Sequence, residues 1–147
     1  MAVKPIPDGY HTVTPYLIVD DGEKLLEFMQ RAFGATVNDV TRRPDGAIWH
    51  ADVTIGDSHV MMGQSNERWS ARPCAINLYV PDVDAAYRQA MGAGSVSLGE
   101  PTDQFYGDRS AGVQDPCGNY WWISTHVEDV SPEEMERRQQ ATAKQRA

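Results

Sequence analysis

Cysteine is scarce in this sequence: Cys74 and Cys117 are the only two in 147 residues. They lack the close pairing of a metal-binding motif, and two reduced thiols are expected in place of a disulfide framework. Positive charge is also in short supply, with 13 Lys and Arg against 21 Asp and Glu and a net charge of -8. Long-range repulsion from that excess opposes approach to a phosphate backbone or an anionic bilayer, so neither nucleic acid nor membrane is an expected partner. No apolar run approaches the roughly 20 residues that span a bilayer. The opening MAVKPIPDGYHT has no signal-peptide core, which points to a cytoplasmic protein. Apolar residues themselves are not lacking. A composition 41% hydrophobic and 23% charged is that of a folded domain, and 147 residues suffice for one core without covalent staples.

The chain contains a copy of itself. LIVDDGEKLLEFMQRAFGA, Leu17 to Ala35, and LYVPDVDAAYRQAMGAGSV, Leu78 to Val96, each run from an apolar strand through an Asp-containing cap into an amphipathic helix closed by glycine, at an offset of 61 residues. The same offset sets Gly46 on Gly107 and the turn Gly56-Asp57 on Cys117-Gly118. One supersecondary unit used twice is the physical reading of such a repeat. Within the first copy, TVTPYLIV reads as a strand, with Pro15 tolerated near its start. Asp20 and Glu23 form a capping box before the stripe of Leu25, Leu26, Phe28, Met29, Ala32 and Phe33, and Gly34 is the helix stop. ATVNDVTRR, AIWHADVTI and SHVMMGQS follow as three strands. In the second copy Asp82 caps a helix from Val83 to Met91, followed by strands near SLGEPTD, RSAGVQ and YWWIST. Module one spans about 10–64 and module two about 73–127. The linker Ser65 to Pro73 carries Trp69, which is expected to lie outside any cavity. A tail over 131–147 starts with the helix signal Ser131-Pro132-Glu133-Glu134, and its lack of apolar residues predicts a solvated or frayed helix.

Paired units of this kind, with TPYLIVDDGEKLLEFMQRAFGA, DGAIWHADVTIGDSHVMM and DQFYGDRSAGVQDPCGNYWWISTH in that order, resemble the vicinal oxygen chelate superfamily. Its relatives include glyoxalase I, bleomycin-resistance proteins and extradiol dioxygenases. The similarity covers roughly Tyr10 to Glu134 and is greatest to the uncharacterised glyoxalase-like branch. It implies an α+β fold, two paired βαβββ modules whose curved mixed sheet surrounds a cavity, with a C-terminal helix added, and often a homodimer. In metal-using members the first and last strands of each unit supply four ligands, usually His, Gln or Glu. Carried over, those places fall on Thr14, Ala75, Met61 and Trp122, which offer no imidazole and no carboxylate. Neither a metal nor any other cofactor is expected.

Alternation along the strands points Thr14, Tyr16 and Ile18, with Ala75, Asn77 and Tyr79, into the cavity. Met61, Tyr120, Trp122 and Ser124 join them from the last strands. The run DQFYGDR is too polar for core and suits a cavity lip, where Gln104 and Tyr106 face the ligand and Arg109 reads an anionic group. Among the histidines, His59 shares the parity of Met61 and His50 sits mid-strand, whereas His11 is expected to point away and His126 to be peripheral. These residues frame three functions. The favoured one is binding of a small planar or aromatic molecule in a metal-free cavity, by a homodimer of the kind the resemblance implies. The second is a metal-dependent or acid-base lyase, isomerase or dioxygenase, for which His50, His59, Asp103 and Tyr106 are the candidate acids and bases. The third is a non-catalytic structural protein whose cavity is filled by its own side chains.

Overall fold

In the computed structural model, which describes residues 2–146, the repeat becomes two βαβββ modules in series. Module one comprises β1 (Tyr16–Val19), α1 (Gly22–Phe33), β2 (Thr36–Arg42), β3 (Ile48–Ile55) and β4 (Ser58–Gln64). Module two comprises β5 (Ala75–Tyr79), α2 (Val83–Gly92), β6 (Val96–Asp103), β7 (Asp108–Gln114) and β8 (Tyr120–His126). Each module forms one four-stranded sheet, ordered β1-β4-β3-β2 and β5-β8-β7-β6. Both sheets are mixed: the first strand of each module lies parallel to its last, and the remaining pairs are antiparallel. The α+β fold implied by the family resemblance is therefore present. Among the described residues, no helix is long and apolar enough to cross a membrane.

The helix ends follow from local chemistry, with one correction. Asp21, not Asp20, caps α1, accepting from Lys24 N at 3.1 Å. Asp20 instead accepts from Ser65 Oγ at 2.7 Å and fixes the start of the linker. Asp82 caps α2 as expected. Gly34 takes φ 66°, a left-handed stop that a side chain would strain. The tail is helical over α3 (Pro132–Arg146) and buries none of its residues. It is nonetheless held against the body, because Arg138 bonds Glu128 at 2.7 Å and the Phe105 carbonyl at 3.3 Å.

Packing decides where the two sheets look. The stripe of α1 buries Leu25, Leu26, Phe28, Met29 and Ala32, and one continuous core joins it to Leu17, Val53 and Met62 of the first sheet and to Val113, Trp121 and Ile123 of the second. Trp121 of β8 stands 5.0 Å from Phe33 and 6.5 Å from Phe28, ring to ring. The helices also bond to each other, Arg31 Nη2 to the Gly92 carbonyl and Gln89 Nε2 to the Arg31 carbonyl. Both sheets thus press one face on a shared helical layer. Because side chains alternate, the other face of each sheet turns away from that layer.

Trp121 is placed by the turn before it. Asp115 is buried and accepts from the backbone N–H groups of Cys117 and Asn119, from Asn119 Nδ2 and from the indole Nε1 of Trp121 at 2.8 Å. Asn119 Oδ1 in turn accepts from Cys74 N, fixing the start of β5. Removing the carboxylate would leave four donors without an acceptor in a dry site. Asp115→Ala is expected to lose about 3 kcal/mol or more of unfolding free energy in urea titration. A loss under about 1 kcal/mol would show that the turn does not depend on it.

Candidate functional site

The outward face of module one carries Tyr16 and Ile18 from β1, Met61 and Gly63 from β4, and His50 and Asp52 from β3. Tyr16 lies across Gly63, where an added Cβ would stand 3.0 Å from the Tyr16 hydroxyl and 2.7 Å from the Trp49 carbonyl. The hydroxyl reaches His50 Nδ1 at 3.3 Å. Beside Tyr16 is a cleft of about 330 Å³ lined by Tyr16, Ile18, Trp49, Gly63, Asn66 and Trp69, together with Gln64. At the other end of the face the N-terminal segment lies on the sheet. Tyr10 stacks on His59 with ring centroids 3.8 Å apart and donates to Asp52 Oδ2 at 2.9 Å. His59 Nδ1 sits 2.8 Å from the same oxygen, and Asn38 Nδ2 donates to it at 3.0 Å. Burial alone would raise the Asp52 carboxyl, but the hydrogen bonds from Asn38, His59 and Tyr10 outweigh it and hold the group below the ordinary aspartate range.

The outward face of module two is broader and more aromatic. Trp122 lies flat across Gly112, a position where any Cβ would collide with the indole. Tyr120 meets Trp122 edge to face at 6.3 Å. Tyr79, Tyr120, Trp122 and Leu98 are all at least 40% exposed. Among them Asn77 Oδ1 accepts from Ser124 Oγ at 3.1 Å. Tyr79 is pinned at its tip, donating to buried Asp108 at 2.7 Å. Asp108 also faces His126 Nδ1 at 2.8 Å, and His126 Nε2 faces Asp129 at 2.8 Å. The bond from His126 lowers the Asp108 carboxyl, and the bonds to Asp129 and Asp108 raise His126.

These positions revise the expected cavity in four ways. First, none of the clefts of about 330, 510 and 730 Å³ brings Tyr16 or Met61 together with Tyr120 or Trp122. The candidate set is divided between two faces on opposite sides of the helical layer. Asn77 and Tyr79 do border a cleft of about 730 Å³ between the modules, but its other walls are helix ends and the β3–β4 turn. Second, Arg109 is not a free lip cation. It shares the parity of Val113, faces α2, and is bound by both oxygens of Asp84 at 2.9 and 3.0 Å and by Asp103 at 3.1 Å. Gln104 and Tyr106 form the β6–β7 turn, where Tyr106 packs edge-on against Phe105. Third, His11 lines the same groove as Thr14, Tyr10 and Met61, because β1 starts only after Pro15 and alternation does not govern what precedes it. Fourth, Trp69 of the linker lines the module-one cleft. Trp49, which strand alternation does not assign to the cavity, lines the same cleft.

The places that the family resemblance assigns to metal ligands hold Thr14, Met61, Ala75 and Trp122; in the register Met61 pairs with Tyr16 and Trp122 with Asn77, equivalent positions at the offset of 61. A thioether, an indole, a methyl and a hydroxyl, split between two faces, do not fit a divalent ion. Among the described residues no three His, Cys, Asp or Glu side chains converge as metal ligands.

Comparison with known proteins agrees with the architecture. The family model of the Glyoxalase/Bleomycin resistance protein/Dioxygenase superfamily matches residues 10–123. The uncharacterized protein Rv0887c of Mycobacterium tuberculosis is 33% identical over 135 residues, covering 84% of this chain and 79% of its own. Among solved structures, TioX from Micromonospora sp. ML1 superposes with a TM-score of 0.69 at 23% identity, over 80% of this chain and 99% of the other. A glyoxalase/bleomycin resistance protein/dioxygenase from Nocardioides gives 0.61 at 18% identity over 90% of each chain. At such identities the two structures speak for the fold alone.

The Asp52 network has a pH signature. A carboxyl held below its unfolded value contributes stability that is present above that value and is lost as pH falls through the folded one. The stability difference between the native chain and Asp52→Asn is expected to be level near pH 5 and to shrink below about pH 4. Urea unfolding from about pH 5 to about pH 3 measures it, and a difference that grew on acidification would contradict the assignment.

Proposed function

The chain belongs to the glyoxalase/bleomycin resistance protein/dioxygenase superfamily, and we propose that it serves there as a metal-free binding protein for a small planar, aromatic molecule. The observation that supports this most is the character of the two outward faces. Each presents a large ring laid over a glycine, Tyr16 on Gly63 and Trp122 on Gly112, and both rings are more than 40% exposed. A mostly apolar surface with a few fixed hydrogen-bonding groups is the usual make-up of a small-molecule site. The proposed binder is a homodimer in which the module-one face of one copy opposes the module-two face of its partner. That arrangement reunites Tyr16 and Met61 with Tyr120 and Trp122 and covers the outer edges of β1 and β5. Free Cys74 and Cys117 suit a cytoplasmic setting.

Acid-base catalysis has less support from the same geometry. His59 is stacked under Tyr10 and bound to Asp52, Asp103 is bound to Arg109, and Tyr106 stands on a turn away from both histidines. His50 has the Tyr16 hydroxyl as its side-chain partner.

Three measurements test the proposal. Light scattering at micromolar concentration is expected to give twice the chain mass, and a monomer would refute the shared cavity. Elemental analysis after purification without added metal is expected to find well under one divalent ion per chain. A stoichiometric ion that raises the melting temperature would sink the metal-free reading, since a native-state ligand at a hundred times its dissociation constant stabilises by about 2.7 kcal/mol. For an aromatic compound that an affinity screen finds and that occupies the shared cavity, Trp122→Ala is expected to weaken binding at least about tenfold, near 1.4 kcal/mol. Tyr87→Phe, on the helix side, is expected to leave it unchanged. Unaltered binding to folded Trp122→Ala would remove module two from the site.

A further inference from the structure

The module-one cleft is walled by three rings from three segments, and each ring is fixed by a different local cause. Tyr16 is held by Gly63 beneath it and His50 at its tip. Trp49 is turned outward by a β-bulge: Thr41 pairs with His50 and Arg42 with Ile48, so Trp49 is left unpaired while Ile48 takes the buried side. Trp69 is set by a closed turn in which Asn66 Oδ1 accepts from Arg68 N at 2.9 Å and Trp69 N at 2.8 Å, and Asn66 N donates to the Trp69 carbonyl at 2.9 Å. Among the described residues neither indole packs on another ring, and both are more than half exposed, at 61% and 55%. The protein thus orders two large apolar rings around a gap that it does not fill.

The polar groups and the nearby charge narrow the occupant. No charged side chain lines the cleft. The carbonyl oxygen of Asn66 is taken by its own turn, and that of Gln64 accepts from Gly22 N at 3.1 Å, so the two amides have only N–H groups left to offer. Aromatic walls alone would suit an organic cation. Here, however, Arg68 already stands 5.1 Å from the centre of the Trp69 ring, and Arg43 is bonded to the Gln64 and Ser65 carbonyls at 3.1 Å, so a cation would meet two like charges. The volume of about 330 Å³ is at the small end of the range of about 300 to 1,000 Å³ for ligand sites. We propose that this cleft is a self-contained subsite for a neutral, fused two-ring heteroaromatic, stacked between Trp49, Trp69 and Tyr16 with an acceptor atom on its edge facing Asn66 Nδ2. The inference rests on the binding function above but needs no residue of module two.

The full chain, labelled with ¹⁵N, is titrated with quinoline, with naphthalene as the ring pair lacking an acceptor, and with tetramethylammonium as the cation. The indole N–H signals of Trp49, Trp69, Trp121 and Trp122 are the readout. Quinoline is expected to shift Trp49 and Trp69 saturably while Trp121 stays still, and to bind at least about threefold more tightly than naphthalene. Trp69→Ala is expected to weaken quinoline about tenfold or more, and Tyr87→Phe, on the helix side, to change it less than about twofold. Asn66→Asp keeps the oxygen that closes the turn and removes the donor, and is expected to bring quinoline down to the naphthalene affinity. The subsite is refuted by unchanged quinoline binding to Trp69→Ala, by shifts confined to Trp122, or by preference for tetramethylammonium. It is equally refuted if Trp49→Ala and Trp69→Ala only dissociate the dimer and no probe shifts their signals, because a second copy then occupies the cleft. Response at Trp122 alone would overturn the subsite yet support the wider binding function, whereas silence of all four indoles, with no hit in the affinity screen, would remove both.

Discussion

The burial of Trp121 is the constraint from which the rest of this structure follows. Its ring meets Phe28 and Phe33 of the other module's helix, and its N–H is satisfied by Asp115, so the largest side chain of the core is both an apolar contact and a fixed hydrogen-bond donor. Truncating a buried tryptophan costs about 3 to 5 kcal/mol. Because this ring belongs to one sheet and its neighbours to a helix of the other module, the two units share a single helical layer. Each sheet then has one face left over. The exposed aromatic residues lie on those leftover faces, whose placement is a consequence of the core.

What the outward faces do with that freedom is physically consistent between modules although the residues differ. In module one the aromatic stands on β1 and its Cα partner on β4 is Met61; in module two the aromatic stands on β8 and its partner on β5 is Asn77. Each ring lies on a glycine whose missing Cβ is the space it uses. The polar groups are held by neighbours: Asp52 gathers Tyr10, Asn38 and His59, and Asp108 gathers Tyr79 and His126. Such networks tie these acids and bases to fixed partners.

The elements themselves were legible from the chain because their causes are local. The stripe of α1, the Gly34 stop, the Asp82 cap and the strands of SHVMMGQS and YWWIST each depend on residues within a few positions. Adjacent Trp121 and Trp122 could likewise be assigned opposite faces by alternation. Alternation failed where the backbone departs from it. Ahead of Pro15 there is no strand, so His11 and Thr14 share a groove, and at the bulge Trp49 leaves the face that counting by two would give it. The partners of Arg109 are set by pairing and packing: Asp103 faces it across the β6–β7 pair, and Asp84, 25 residues away, reaches it because α2 packs on the second sheet.

By itself the sequence determined the repeated unit and its helices and strands, because periodicity and capping are properties of residues and their near neighbours. Only the tertiary structure decided that the expected cavity residues fall on two opposed faces, that the linker's Trp69 walls a cleft, and that Arg109 is already spoken for. Those outcomes depend on which module's helix covers which sheet, a long-range packing choice that no local spacing encodes.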